Sequence, residues 1–278
     1  MLTGENEGYY KDYGKMEQLA TAFKQAFVYD GQYSHFRQRT VGNSPAGLDF
    51  SKFVVSIQNH DQIGNRLLGD RLSKLVSFEG LKLGAGVILI SPFVPMLFMG
   101  EEFAEENPFQ YFISHGDPDL VKAVQQGRKR EFEYFNSQNK DDFSDPQARE
   151  TFNDSKLDWK FKAVPAKNTM FKYYKYLIRL KKDGAFDAFR NKEIKTEVYE
   201  EKKILQVSSE TDDKLMAIFN FSNENEEVLL PEVTKNWELV LASADKKWDG
   251  TYDFPSDFSG GEKVSLPAHS LILCKSSI

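Results

Sequence analysis

Apolar residues near the amino end recur at the spacing of a helix that is buried along one side. Charged and amide side chains separate them over residues 16–29, and a loop rich in Gly, Ser, Asn and Pro follows. The apolar stripe consists of Leu19, Ala22, Phe23, Ala26 and Phe27. The pattern predicts one amphipathic helix over residues 16–29.

Two short apolar runs flank a longer one in the middle of the chain. Residues 53–57 are β-branched and aromatic, residues 79–90 are long enough for a helix, and residues 96–99 form a second short run. A further helix is predicted at about residues 65–75. Strand, helix and strand in this order predict a parallel pair with a crossover connection. Parallel strands are covered on both faces, which fits runs that are apolar throughout.

One uncharged segment, residues 83–100, approaches the roughly 18 to 20 residues that a membrane span requires. Pro92 and Pro95 interrupt it. Because proline ends helices, the segment is predicted to be a buried helix followed by a buried strand. A membrane partner is therefore not expected.

The chain changes character after about residue 190. Charge and turn formers over residues 128–167 predict a helix and long surface loops, and residues 170–182 predict a helix. Short strand-like runs then follow one another at residues 197–200, 204–208, 215–221, 227–230, 237–242, 264–266 and 271–274. They predict an antiparallel β-sandwich, with domains at residues 1–189 and 190–278.

Composition excludes several kinds of partner. The 36 basic and 42 acidic residues give a net charge of −6 without a basic cluster, which argues against nucleic acid. Cys274 is the single cysteine, so an intramolecular disulfide is impossible and a cytoplasmic location is the simplest expectation. No zinc spacing, EF-hand loop or phosphate-binding glycine loop is present, so no metal or cofactor is predicted.

Polar residues gather just after the two central strands. Gln58, Asn59, His60 and Asp61 follow the first, and Gly100-Glu101-Glu102 follow the second. Parallel α/β barrels place their active sites at the carboxyl ends of their strands. This arrangement predicts a site in which side chains from both strand ends take part.

The strings FVVSIQNHD (53–61) and MLFMGEE (96–102) resemble the motifs of strands seven and eight in the α-amylase clan of glycoside hydrolases. Further strings resemble the trehalohydrolases within that clan, and they are LTGE (2–5), QNHDQIGNR (58–66), PFQYF (108–112) and LDW (157–159). The resemblance implies the carboxyl-terminal part of a (β/α)₈ barrel followed by the sandwich. The implied activity is hydrolysis of the α-1,4 bond between a trehalose unit and a maltooligosaccharide.

The resemblance also implies roles for particular residues. Asp61 would accept hydrogen bonds from sugar hydroxyls and so stabilise the oxocarbenium-like transition state, and His60 would bind the same ring. Further sugar-contacting or supporting positions are Asn59, Gln62, Asn65 and Arg66. Structural roles remain open beside these: an Asn-His-Asp string can cap a helix, and Arg66 can pair with Asp70.

The second strand end is more ambiguous. Glu101 or Glu102 could touch substrate or could pair with a basic side chain to hold the barrel mouth. Phe109 and Tyr111 could stack on pyranose rings or pack beneath the mouth.

The resemblance places the nucleophile and the acid/base on strands four and five, upstream of Met1, so these 278 residues alone are expected to be inactive. Two barrel strands cannot close a barrel, and their open edges are expected to be covered by the upstream barrel portion, a rearranged segment or a second copy.

Three other functions stay open. One is another clan activity, such as branching or debranching. The second is a non-catalytic glucan-binding protein, for which exposed aromatic residues around Trp237, Trp248 and Tyr252 would argue. The third is a structural β-rich interaction domain.

Overall fold

A computed structural model describes residues 1–135, 144–191, 194–209 and 214–276. The chain divides into two compact units, and each is described by itself. The sheet unit comprises Met1–Ile57, Phe78–Met96 and Thr169–Ile278, and the motif unit comprises Gln58–Ser77 and Leu97–Asn168. Residues 136–143, part of the stretch predicted to be helix and surface loops, lie outside the described residues.

The helices are α1 (Met16–Gln25), α2 (His60–Gly64), α3 (Leu72–Leu75), α4 (Phe78–Ile90), α5 (Pro118–Phe135), α6 (Arg149–Asp154) and α7 (Pro165–Lys182). The strands are β1 (Gln32–Ser34), β2 (Arg39–Val41), β3 (Val54–Val55), β4 (Val94–Pro95), β5 (Ile194–Tyr199), β6 (Ile204–Ser209), β7 (Lys214–Asn220), β8 (Glu226–Leu229), β9 (Trp237–Ala242), β10 (Asp257–Phe258), β11 (Lys263–Leu266) and β12 (Ser270–Ser276).

The parallel pair is present, but its second strand lies two residues before the predicted start. β4 pairs with β3 in parallel, Val94 opposite Val54, so the prediction of a strand at residues 96–99 is wrong. The backbone N–H groups of Val94 and Met96 donate to the carbonyls of Phe53, just before β3, and Val55 at 3.0 and 2.8 Å. The nitrogen of Pro95, between them, faces the opposite edge, so the missing N–H of proline costs this pair no hydrogen bond.

Two helix predictions also need correction. The predicted helix at residues 65–75 is wrong, because two short helices, α2 and α3, flank a turn instead. The predicted helix at residues 16–29 stops four residues early, at Gln25. Ala26 has a φ of +71°, a left-handed conformation that terminates helices.

The carboxyl-terminal strands form a β-sandwich, as the sequence predicts. Six strands build one antiparallel sheet in the order β10-β9-β12-β7-β6-β5, and β8 pairs with β11 in a second sheet. A shared core joins them, including Ile218 and Cys274 from the large sheet with Val228 and Leu266 from the small one. The strand β10, which is only two residues long, was not predicted.

Helices cover the other face of the large sheet. Phe23 of α1 contacts the ring of Phe219 in β7 at 5.5 Å between centroids. α4 approaches β12 so closely that a Cβ at Gly86 would lie 2.0 Å from Leu271 Cδ2. The sheet is therefore buried on both faces, which explains why β7 is apolar almost throughout.

Of the three aromatic residues considered for a glucan-binding face, Trp237 and Trp248 are buried and Tyr252 is half-buried. Trp237 is 2% exposed and its indole nitrogen donates to the carbonyl of Pro231, while Trp248 is 8% exposed. Both belong to the interior of the sheet unit. In the part of the chain that the structure describes, we find no helix with the length and apolar character of a membrane span.

Candidate functional site

The segment after β3 begins with two side chains that organise the backbone. Asn59 is the N-cap of α2, because its side-chain oxygen accepts a hydrogen bond from the backbone of Gln62 at 3.0 Å. Gln58 is buried, and its side-chain oxygen accepts from the backbone of Leu72 at 3.1 Å. The capping role weighed for Asn-His-Asp is thus filled by Asn59.

The cap turns the next side chains outwards. His60, Asp61 and Gln62 occupy the first turn of α2 and are exposed. Asn65, one turn later, donates from its side-chain nitrogen to Asp61 Oδ1 at 2.9 Å. The carboxylate of Asp61 therefore keeps Oδ2 as an acceptor for a ligand.

Arg66 lies in the turn that leaves α2. Its backbone N–H donates to the carbonyl of Ile63 at 3.0 Å, and its own carbonyl accepts from Gly69 at 3.1 Å. The side chain is half-buried. Its assignment as a sugar-contacting residue remains a prediction.

The Gly-Glu-Glu string folds into a single 3₁₀ turn. Gly100 has a φ of +91°, and Glu102 accepts a hydrogen bond from the backbone of Gly100 at 2.9 Å. Glu101 is buried and Glu102 is half-buried. One oxygen of Glu102 is thus engaged within its own turn.

Arg71 ties the two strand-end segments of the motif unit together. Its guanidinium donates to the carbonyls of Asn107 at 2.7 Å and Met99 at 2.8 Å, and lies 5.0 Å from the centre of the Phe98 ring. Burial lowers the pKa of this guanidinium, and the charges of Glu105, Glu102 and Glu101 oppose that shift. Arg71 is therefore the candidate for the basic side chain that the sequence analysis expects at the barrel mouth.

Glu105 is a second organising residue that the sequence reasoning missed. It is 1% exposed, and its carboxylate accepts from the backbones of Glu106 at 2.7 Å, Asn107 at 3.0 Å and Asp158 at 2.6 Å. Lys167 lies 3.6 Å away. A buried carboxylate with several N–H donors and a cation is adequately compensated. It fixes the loop after Glu101 and Glu102 to the segment that carries Trp159.

Phe109 and Tyr111 sit differently. Phe109 is half-buried between the rings of Phe98 and Phe112, at 5.2 and 5.9 Å. Tyr111 is 43% exposed. Packing therefore describes Phe109 better, while Tyr111 retains a surface for a ligand.

The approach of Gly69 to Phe109 gives a test of how this loop is held. A Cβ at Gly69, with a φ of +68°, would lie 2.7 Å from the carbonyl carbon of Phe109, whereas Gly47, with a φ of +84°, has nothing within 4 Å. Both alanine variants carry the left-handed strain of about 1–2 kcal/mol. We expect Gly69→Ala to cost about 1–3 kcal/mol more than Gly47→Ala, because only Gly69 meets backbone.

Urea denaturation of both variants measures that difference. Equal losses in the two variants would show that the loop of Phe109 moves away freely.

The geometry defines what this region can do chemically. It offers one exposed carboxylate oriented by an amide, an imidazole beside it in sequence and an exposed aromatic ring, which together suit hydroxyl-rich ligands. Among the residues that the structure describes, no three His, Cys, Asp or Glu side chains are grouped to hold a metal.

Comparisons with known proteins agree with the resemblance found in the sequence. No family model matches the chain. Malto-oligosyltrehalose trehalohydrolase from Saccharolobus solfataricus is 48% identical over 182 residues, which is 66% of this chain and 30% of the relative. The trehalohydrolase from Brevibacterium helvolum is 44% identical over 184 residues, 66% of this chain and 31% of the relative.

A solved structure covers almost the whole chain. A crystal structure of a Salmonella typhimurium protein, provisionally described as an alpha amylase, matches 99% of this chain and 44% of its own, with 31% identity and a TM-score of 0.81. The predicted fold class, the end of a (β/α)₈ barrel followed by an antiparallel β-domain, is thereby confirmed.

The fold and the strand-end motifs are similar to those of the α-amylase type of glycoside hydrolase. Within that class the chain is homologous to the malto-oligosyltrehalose trehalohydrolases, as its motifs predict. It spans about 30% of the length of these curated relatives.

Proposed function

We propose that this chain is part of a retaining glycoside hydrolase that cleaves the α-1,4 bond between trehalose and a maltooligosaccharide. The observation that carries the proposal is the exposed Asp61 carboxylate, held by Asn65 in a chain 48% identical to a trehalohydrolase over 182 residues. The substrate is maltooligosyltrehalose or a related α-glucan.

Asp61 stabilises the transition state in this proposal. As the sugar ring gains positive charge, hydrogen bonds from its hydroxyls to the carboxylate strengthen, so the contact favours the transition state over the bound substrate. The exposure of Asp61 supports this role, because an exposed carboxylate can accept hydrogen bonds from a ligand in addition to the one from Asn65.

The other predicted residues divide into direct and supporting roles. We propose direct contact for His60, Gln62 and Tyr111, whose side chains are exposed. Supporting roles suit Asn59, which caps α2, and Asn65, which holds Asp61. Arg66, Glu102 and Phe109 are half-buried, and we propose that they shape the site from beneath.

These 278 residues alone are proposed to be inactive. The resemblance assigns the nucleophile and the acid/base to strands four and five, and a retaining mechanism needs both, about 5 Å apart. Asp61 cannot replace the pair, because a carboxylate that only accepts hydrogen bonds supplies neither the glycosyl bond nor the proton.

The proposal also concerns what covers the exposed residues of β3 and β4. Val54 is 63% exposed and Val94 42% exposed, although both are strand residues of a parallel pair. We propose that the upstream barrel portion, or a second copy of the chain, covers them, since open apolar strands otherwise associate. The domain division at residues 1–189 and 190–278 and a cytoplasmic location complete the proposal.

Trehalose release from maltooligosyltrehalose tests the function. It is measured with these 278 residues and with the extended protein, meaning the same residues preceded by the upstream barrel strands. We expect turnover from the extended protein alone. Activity of the 278 residues would refute the proposed inactivity, and branching or debranching products would assign the chain to another activity of the clan.

A non-catalytic glucan-binding function would give binding without products in either form. Isothermal titration with maltooligosaccharides detects such binding, whereas a protein that has lost its fold would neither bind nor release products. The burial of Trp237 and Trp248 argues against this function, because of the three aromatic residues that would favour it only Tyr252 is half-buried.

A further inference from the structure

Arg128 lies in the middle of α5, within the stretch whose charge density predicts a surface helix and loops. Its side chain is nevertheless buried, with 8% of the residue exposed. The buried guanidinium donates from Nη1 to Asn65 Oδ1 and from Nη2 to the carbonyl of Gly64, both at 2.7 Å. The predicted surface position of Arg128 is therefore wrong.

The hydrogen bond to Asn65 decides which way that amide faces. A guanidinium has only donors, so Asn65 must present its oxygen to Arg128. The amide nitrogen is then the group that remains for Asp61, and it donates to Asp61 Oδ1 at 2.9 Å. Arg128, Asn65 and Asp61 thus form one chain of hydrogen bonds with a fixed direction.

The same guanidinium also contacts the aromatic residue of the site. Its central carbon lies 4.5 Å from the centre of the Tyr111 ring, within the range of a cation–π interaction. Because Tyr111 is 43% exposed, this contact orients one ring face while the remainder stays open. One buried side chain therefore restrains both the carboxylate and the ring.

We infer that Arg128 is a positioning residue that sets the orientation of Asp61 through Asn65 and of Tyr111 directly. The inference rests on the proposed function of Asp61. Loss of Arg128 frees the Asn65 amide to rotate, and an amide oxygen turned towards the carboxylate would repel it. Supporting residues of this kind change activity by about 10- to 100-fold when they orient a group at the reacting centre.

The first experiment uses the 278 residues and does not depend on activity. The Nδ2 protons of Asn65 are followed by NMR after selective asparagine labelling, in the unchanged chain and in Arg128→Met. We expect a shifted or broadened amide pair in Arg128→Met only. The matched control is Arg130→Met, an exposed arginine two residues further along α5 whose Nε donates to Gln126 at 3.3 Å.

The second experiment measures kcat and KM for the extended protein, with kcat referred to titrated active sites so that misfolded molecules are not counted. Arg128→Met is expected to lower kcat by about tenfold or more, Arg128→Lys by less, and Arg130→Met not at all. The double variant Arg128→Met/Asn65→Ala is expected to lose clearly less than the product of the two single losses, because both residues act on Asp61 through one chain of hydrogen bonds.

An unchanged Asn65 amide in Arg128→Met would overturn the inference, and so would losses that multiply in the double variant. If the extended protein releases no trehalose at all, the proposed function fails. The NMR experiment then decides by itself whether Arg128 orients Asn65.

Discussion

Replacement of Asp61 by Asn is expected to lower kcat of the extended protein for trehalose release by about 10²- to 10³-fold. The asparagine keeps the size of the side chain and an oxygen that can accept from Asn65, as Asp61 Oδ1 does at 2.9 Å. It loses the negative charge opposite the developing oxocarbenium ion. Hydrogen bonds that strengthen in the transition state contribute several kcal/mol, and each ~1.4 kcal/mol is a factor of ten.

The expected change in KM is smaller than the change in kcat. An interaction made mainly in the transition state leaves substrate binding nearly intact, so kcat and kcat/KM should fall together. Initial rates over a range of maltooligosyltrehalose concentrations separate the two constants.

Asp154→Asn is the matched control for this prediction. Asp154 is an exposed carboxylate at the end of α6, in the same motif unit, and the change removes one charge there as well. We expect its kcat to stay within about twofold of the unchanged protein, as for most surface substitutions. A similar loss in both variants would mean that net charge matters rather than Asp61, and an unaffected Asp61→Asn would remove Asp61 from the mechanism.

The β-sandwich was the part of the fold that the sequence predicted best. Apart from β10, its strands are four to seven residues long with apolar and β-branched runs, and β9 has the predicted bounds of residues 237–242. Strands of this length can be predicted from the hydrophobic pattern of their own residues. The two-residue strand β10 carries none, because Asp257 and Phe258 pair with β9 only through the tertiary fold.

The displacement of β4 has a different origin. Pro95 predicts a break, since proline lacks the N–H that a sheet uses. In this parallel pair the nitrogens of residues 94 and 96 face β3 and that of residue 95 does not. Which edge a residue faces depends on the register, and the register is not visible in a two-residue strand.

The candidate site was predicted in its exposed parts and missed in its buried ones. Asp61 could be found because its motif is contiguous. Arg71 and Glu105 could not, because charged residues indicate a surface and their partners are distant: Arg71 contacts Met99, 28 residues later, and Glu105 contacts Asp158, 53 residues later. Buried charges become visible only when the groups that compensate them are known.

Lys82 is a buried charge of the same kind in the sheet unit. Its replacement by Met is expected to destabilise the chain by about 3 kcal/mol. Its side chain is 0% exposed within α4, and the ammonium lies 2.8 Å from Glu79 and donates to the carbonyl of Trp248 at 2.8 Å. Burial lowers the pKa of Lys82 and raises that of Glu79. Each charge is therefore costly without the other.

The double variant Glu79→Gln/Lys82→Met distinguishes a lost pair from a stranded charge. The single variant Lys82→Met leaves the Glu79 carboxylate, which is 29% exposed, without its cation. Removing both charges is expected to restore part of the loss, because much of the cost of breaking a buried pair lies in the partner left behind. Urea denaturation of the 278 residues measures each free energy of unfolding.

Lys195→Met supplies the comparison at the surface. Lys195 lies 2.9 Å from Glu197, nearly the same separation, but the two side chains are 55% and 38% exposed. Water screens such a pair, so its loss is expected to cost less than about 1 kcal/mol. If Lys82→Met and Lys195→Met cost the same, or if the Glu79→Gln/Lys82→Met variant is no more stable than Lys82→Met, burial does not set the strength of the Lys82 pair. A large difference between them would show that burial makes the contacts of this ammonium with Glu79 of α4 and with the carbonyl of Trp248 important for stability.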